Sequence, residues 1–219
     1  MEFEPDLFIS YAHLDDQPLM DGQTGWISTF HKVLAIRLAM LRGEEPRIWR
    51  DDSRLQGNDF LTPAIMKALA ESQLLVSVLS PRYLKSEWCM QELANFCQVA
   101  QQQMGGILVG DSKARLFKVV KTYLPDQEHP SELAELIGYN FFEFDDAKRP
   151  KEFDSTYGPE LGQKFLNKLD DLAYDIHQTL NMLEANDKSA VPRPQVSQQS
   201  RSGSDLASGP GPRSKPSPE

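Results

Sequence analysis

Short apolar runs alternate along the chain with longer stretches in which apolar residues recur every three or four positions. Leu7, Phe8 and Ile9 lead a run through Ser10 to Tyr11 with nothing upstream that could form an element. It reads as the first, central strand, buried on both faces. Residues 12–25 are polar and broken by Pro18, Gly22 and Gly25. Such a long loop in a compact domain is often functional. Trp26, Phe30, Val33, Leu34, Leu38 and Leu41 then predict an amphipathic helix over residues 24–41, with Thr24 as N-cap and Gly43 just past its end. Residues 46–49 form a brief second strand, and residues 51–59 a polar, glycine-bearing loop. Phe60, Ile65 and Leu69 begin the next helix, with Pro63 in its first turn, where a missing N–H is harmless. Residues 74–80 are a third strand, followed by Pro81. A helix opening at residues 86–93 then places Cys89, Leu93, Phe96, Cys97 and Ala100 on one apolar face and ends near Gln103, before Gly105 and Gly106.

Downstream, residues 107–109 fit a short strand or a loop. Residues 116–120 form a fourth strand, 131–137 a short helix, 139–144 a fifth strand and 145–158 a polar loop. A last helix spans residues 159–183, with Leu161, Phe165, Leu169, Leu172, Ile176 and Leu180 as its buried stripe. From Ala185 the composition changes: the tail holds six Pro and eight Ser and almost no large apolar residues. It cannot bury enough surface to offset ordering entropy, so residues 185–219 are expected to be a disordered tail or linker and residues 1–184 a single domain.

Strands alternating with helices predict a parallel sheet covered on both faces. Ligands of such sheets bind beyond the carboxyl ends of the strands. Three stretches distant in sequence converge there: residues 10–13, 51–59 and 80–92. Trp88 and Glu92 are four apart, one above the other in the first turns of their helix, at the border of its apolar face. The ordinary account of that pair is a solvated glutamate beside a half-buried tryptophan. The chemical account is a carboxylate held beside an aromatic plate at the rim of the sheet.

The net charge of −9 over 219 residues argues against a nucleic-acid surface, which needs a basic patch, yet leaves room for a small anionic nucleotide in a local pocket. The two cysteines, Cys89 and Cys97, lie too far apart along one helix to bridge, which implies reduced, buried thiols and a cytoplasmic address. The N-terminus carries no secretory signal, and no apolar run is long enough to span a membrane. Phosphate-loop, dinucleotide-fingerprint, nucleophile-elbow and metal-ligand spacings are all missing from the sequence. No cofactor or metal is expected.

Four motifs taken together in order are specific. Residues 6–11, the loop from Asp51 to Phe60 with Leu55 and Gly57, residues 74–80 with Tyr83, and Trp88-Cys89-Met90-Gln91-Glu92-Leu93 resemble the Toll/interleukin-1 receptor (TIR) domain over about residues 4–183. The resemblance implies a flavodoxin-like α/β fold with a five-stranded parallel sheet of order 2-1-3-4-5 and helices on both faces. The Trp-x-x-x-Glu arrangement is similar to the NAD-cleaving, bacterial-type branch of the family. That likeness implies Glu92 as catalytic carboxylate, with Trp88, Ser10, Tyr11, His13, Asp51, Leu55, Gly57 and Phe60 around the substrate. Where that branch often carries a basic residue after the first-strand tyrosine, this chain has Ala12 and His13. Gln56 stands where an acidic residue sometimes precedes the loop glycine.

The expected reaction is hydrolysis of the nicotinamide–ribose bond of NAD+, giving nicotinamide and ADP-ribose or a cyclic ADP-ribose isomer. NAD+ is then a substrate, not a cofactor. The leaving group departs neutral and the transition state is oxocarbenium-like, so one carboxylate can suffice where ordinary glycosidases use two. The resemblance further implies self-association through the loop bounded by Ser53 and Asp59 (the BB loop), in head-to-tail or filamentous oligomers. Contact with other TIR domains and a role in defence or cell-death signalling belong to the same expectation, with neither nucleic acid nor membrane as partner. The alternative is a non-catalytic TIR module that recruits partners. A third, weaker idea is hydrolysis or base exchange on another nucleoside derivative.

Overall fold

The computed structural model describes residues 5–50, 63–110 and 113–190, and side chains as far as residue 186. Its centre is a parallel sheet. Strand β1 (Leu7–Tyr11) lies between β2 (Ile48–Arg50) and β3 (Leu74–Leu79). Two short strands, β4 (Leu108–Val109) and β5 (Lys113–Ala114), form an antiparallel hairpin. Then come β6 (Leu116–Val120) and β7 (Tyr139–Asn140), which complete the sheet in the order β2-β1-β3-β6-β7. Counting only its own strands in chain order, that is the expected 2-1-3-4-5 arrangement.

The expected fifth strand over residues 139–144 is in fact two. β7 joins the sheet, whereas β8 (Phe142–Phe144) turns away to pair antiparallel with β9 (Pro150–Glu152). Phe141 marks the break: it is fully buried, and its N–H donates to the Val120 carbonyl while its own carbonyl accepts from Phe153. An aromatic-rich run such as residues 139–144 does not reveal which residue changes partner. The polar stretch 145–158, expected as loop, therefore holds β9 and a 3-10 turn, Ser155–Tyr157.

Alternation along β1 sorts the core into two layers. Leu7, Ile9 and Tyr11 face helix α1 (Trp26–Arg42) and the C-terminal helix of the chain. Phe8 and Ala12 face α2 (Pro63–Glu71) and α4 (Glu87–Gln103), which buries Cys89, Leu93, Phe96 and Ala100 against them. A one-turn helix, α3 (Pro81–Leu84), precedes α4, and another, α5 (Ser131–Ala134), precedes β7.

The last helix, α6 (Pro159–Ala190), buries the predicted stripe from Leu161 to Leu180 and continues past residue 184, where the domain was expected to end. Helical residues need no tertiary cover when their own ladder satisfies the backbone, and Ala185 favours that conformation. The rest of the expected tail lies outside the described residues, as do Asp51, Leu55, Gly57, Phe60 and the loop from Ser53 to Asp59.

Thr24 does not cap α1. Gly25 holds the N-cap position with no side-chain bond of its own. Asp16 supplies the cap from a distance: its carboxylate accepts from the Ser28 backbone N–H and from the Ser28 hydroxyl, both at 2.6 Å. The close approach requires glycine, since a Cβ at Gly25 would stand 1.9 Å from the Asp16 carbonyl oxygen. At the other end Gly43 takes a left-handed φ of 76°, as its place past the helix predicts. Among the described residues no helix is long and apolar enough to cross a membrane.

Candidate active site

The cavity opens where β1 and β3 end. It encloses about 260 Å³ and is lined by Tyr11, His13, Trp88 and Glu92 among others. Ser10 does not itself line the cavity; strand alternation instead turns it toward Glu92, which does. Ser10 shares a face with Phe8, the face that α4 covers, and its hydroxyl donates to the Glu92 carboxylate at 2.5 Å. Both are buried: Ser10 is 1% exposed and Glu92 6%. The predicted border position of Glu92 is thus an inward one. The aliphatic stem packs within the α4 layer and the carboxylate ends on the cavity floor.

Tyr83 holds this arrangement from the side. Fully buried on α3, its hydroxyl donates to the Cys89 carbonyl at 3.3 Å and lies 3.3 Å from the oxygen of the Ser10 hydroxyl, whose proton is directed at Glu92. Burial pushes the phenol well above its usual range, so it stays neutral and serves as a hydrogen-bonding strut. Cys89, beside Glu92 on the same face, is pushed up to about 12 by burial and by the Glu92 charge. A thiol that protonated is no nucleophile near neutral pH. Both cysteines are free, and Cys97 is only half-buried rather than buried, because it sits at the margin of the layer.

The walls come from three elements. After β1 the chain folds into a 3-10 turn, His13–Asp16. Its His13 ring stacks on Tyr11, with centroids 5.3 Å apart and planes 23° from parallel. Trp88, half-buried in the first turn of α4, forms the opposite wall. Ser86 caps that turn by accepting from the Cys89 N–H, fixing the direction of Trp88 and Glu92.

Asp15 was not anticipated. Its carboxylate accepts from the Ser80 hydroxyl at 2.5 Å, while Ser80 itself accepts from the backbone N–H groups of Arg82 and Tyr83. One hydroxyl therefore ties the turn after β1 to the start of α3. Burial raises the Asp15 carboxyl above its ordinary value, against the opposing effects of the Ser80 hydrogen bond and of Lys121. Arg82 and Lys85, also unanticipated, line the cavity as well. Ser80-Pro81, an N-cap followed by proline at the first helical position, was the signal for the short helix that carries them.

Of the nine expected site residues, five meet here: Glu92, Trp88, Ser10, Tyr11 and His13. The other four lie outside the described residues. Among the described residues there is no cluster of three or more His, Cys, Asp or Glu arranged to hold a metal ion.

A model of the TIR domain matches residues 7–152. The chain belongs to the TIR domain family. The match spans β1 through β9 and thus every described wall of the cavity. Among solved structures, the TIR domains of the activated Roq1 resistosome, which directly recognizes the pathogen effector XopQ, align at 15% identity and a TM-score of 0.40, over 81% of this chain and 84% of that one. No curated protein sequence matches. In this TIR domain, then, a buried carboxylate and an aromatic wall share one cavity at the carboxyl edge of the sheet, and a buried hydroxyl donor holds the carboxylate.

Proposed function

We propose that this TIR domain cleaves the nicotinamide–ribose bond of NAD+. The observation that carries the reading is Glu92, 6% exposed at the floor of the cavity between Ser10 and Trp88. As the bond lengthens, its electrons leave with nicotinamide, which becomes neutral, and positive charge grows at the ribosyl carbon. A fixed negative group near that carbon stabilises the transition state more than the ground state. In a site shielded from water this is worth roughly 3–4 kcal/mol. Ser10 holds the carboxylate in place, and Trp88 offers a face to the pyridinium.

Water then adds at the ribosyl carbon, releasing a proton and leaving ADP-ribose. Attack by an adenine nitrogen of the same molecule would instead give a cyclic isomer. The cavity, at about 260 Å³, suits the nicotinamide riboside end of the substrate, with the remainder reaching outward. Self-association through residues 53–59 in a head-to-tail assembly, and a place in defence signalling, belong to the same proposal and rest on family membership alone.

The test is nicotinamide release from NAD+ by the purified protein beside Glu92→Ala, followed by chromatography of the products. The expected loss is about 100-fold or more. A second reading, a non-catalytic interaction module, is favoured by the Ser10–Glu92 bond, since a satisfied buried carboxylate can be purely structural. Absence of nicotinamide at high protein concentration, with assemblies formed, decides for that reading.

A further inference from the structure

Arg82 differs from its kind. Among the described residues, every other arginine side chain has a hydrogen-bond partner: Arg37 with Asp170, Arg42 with Glu184, Arg47 with Asp6, Arg50 with Ser28, Arg115 with two carbonyls and Arg149 with Asp145. Arg82 has none, and neither Arg82 nor Lys85 forms an ion pair. In a chain of net charge −9, acidic partners are plentiful. Two cations at the wall of one cavity with neither a hydrogen-bonded nor an ion-paired partner are therefore notable, the Asp15 carboxylate acting on Arg82 only through space.

Their placement is built, not incidental. The Ser80 hydroxyl and the buried Tyr83 fix α3 at both its start and its inner side. Arg82 and Lys85 are three residues apart, so they fall on neighbouring positions of the same turn, and the Lys85 N–H bonds back to the Arg82 carbonyl. Both side chains are exposed at the mouth, while Glu92 lies buried on the floor. The cavity is thus bipolar, with one negative group deep inside and two positive groups at its lip. Ala12 stands directly after Tyr11, so the positive charge at this cavity comes from Arg82 on α3 and from Lys85 beside it.

We propose that Arg82 and Lys85 form a diphosphate subsite, gripping the bridging phosphates of a dinucleotide whose ribosyl end lies over Glu92. This rests on the reading of the cavity as an NAD+ site. Arginine presents a planar fork suited to phosphate oxygens and lysine a point charge beside it. The pair would make the site choose substrates that carry a diphosphate over phosphate-free nucleosides.

Titration calorimetry with ADP-ribose and with inorganic pyrophosphate tests the proposal. Arg82→Gln, Lys85→Gln, the double variant, Arg82→Lys and Glu92→Gln would be compared with the wild type. Each glutamine substitution is expected to weaken both ligands about tenfold, and the double variant more. Arg82→Lys should recover only part of the loss, because it keeps the charge and loses the fork, and Glu92→Gln should keep the affinity. Selectivity of turnover for NAD+ over nicotinamide riboside should fall about tenfold in the double variant. Wild-type affinity for ADP-ribose and pyrophosphate in the double variant would overturn the proposal. So would an equal loss toward NAD+ and nicotinamide riboside. If the wild type shows no turnover, the NAD+ reading fails, while pyrophosphate binding still decides the subsite.

Discussion

At the scale of single residues, the site depends on hydroxyls placed between charged and neutral partners. The Ser10 hydroxyl donates a hydrogen bond to Glu92, and the Ser80 hydroxyl donates one to Asp15. In each case a carboxylate drawn from water, buried for Glu92 and half-buried for Asp15, is held by a neutral donor, which limits the desolvation cost without neutralising the charge. Asp15 lets this balance be measured. Its folded carboxyl titrates above the ordinary value of 3.8, chiefly because burial disfavours the ionised form. An acid raised in this way is penalised once ionised. The penalty is absent below the unfolded value and complete above the raised one. Asp15→Asn keeps an oxygen to accept from Ser80 and removes the charge. It should therefore gain stability relative to the wild type at pH 7 and show no such gain at pH 3. Urea midpoints at the two pH values check this, and an equal difference at both would contradict it.

At the scale of elements, the cavity is assembled by caps. Helices α3 and α4 begin at its margin, and their starts, like that of α1, are each fixed by a side-chain oxygen: Ser80 and Ser86, and Asp16 for α1. Orphan N–H groups at helix starts are thereby satisfied. Ser80 serves two elements at once, because it accepts from α3 and donates to the turn after β1. Ser80→Ala should cost about 1 kcal/mol for the lost cap, and it also leaves the Asp15 carboxylate without its donor. The total loss in denaturant unfolding should exceed that of Ser86→Ala, which removes one cap bond alone. A smaller loss for Ser80→Ala than for Ser86→Ala would show that the two elements are not coupled through this hydroxyl.

At the scale of the molecule, two apolar layers flank one sheet, and the functional groups collect where the strands stop. The layer with α2 and α4 carries Glu92, and the layer with α1 and α6 carries Tyr11. The cavity forms at the end of β1 between these layers. If a neighbouring copy completes the site through residues 53–59, activity must depend on assembly. Nicotinamide release per molecule should then rise with protein concentration and fall on dilution, tracked alongside light scattering. Specific activity constant from the nanomolar to the micromolar range would exclude the head-to-tail proposal.

Periodicity located the main strands of the sheet and the long helices that cover it, because the two periods, two and 3.6 residues, are written into the spacing of apolar side chains. The order of motifs carried the family, and the four-residue spacing of Trp88 and Glu92 carried the candidate carboxylate. Other features are matters of long-range placement. The sequence does not say that Glu92 points inward, since a border position on a helix becomes floor or surface according to what packs beside it. It does not say that Phe141 divides the last strand, or that Asp16 rather than Thr24 caps α1, since both depend on partners distant along the chain. Nor does it single out Arg82. A lone arginine in sequence has no visible partner or lack of one, and only the folded arrangement, in which the other described arginines are taken, leaves this one facing the cavity.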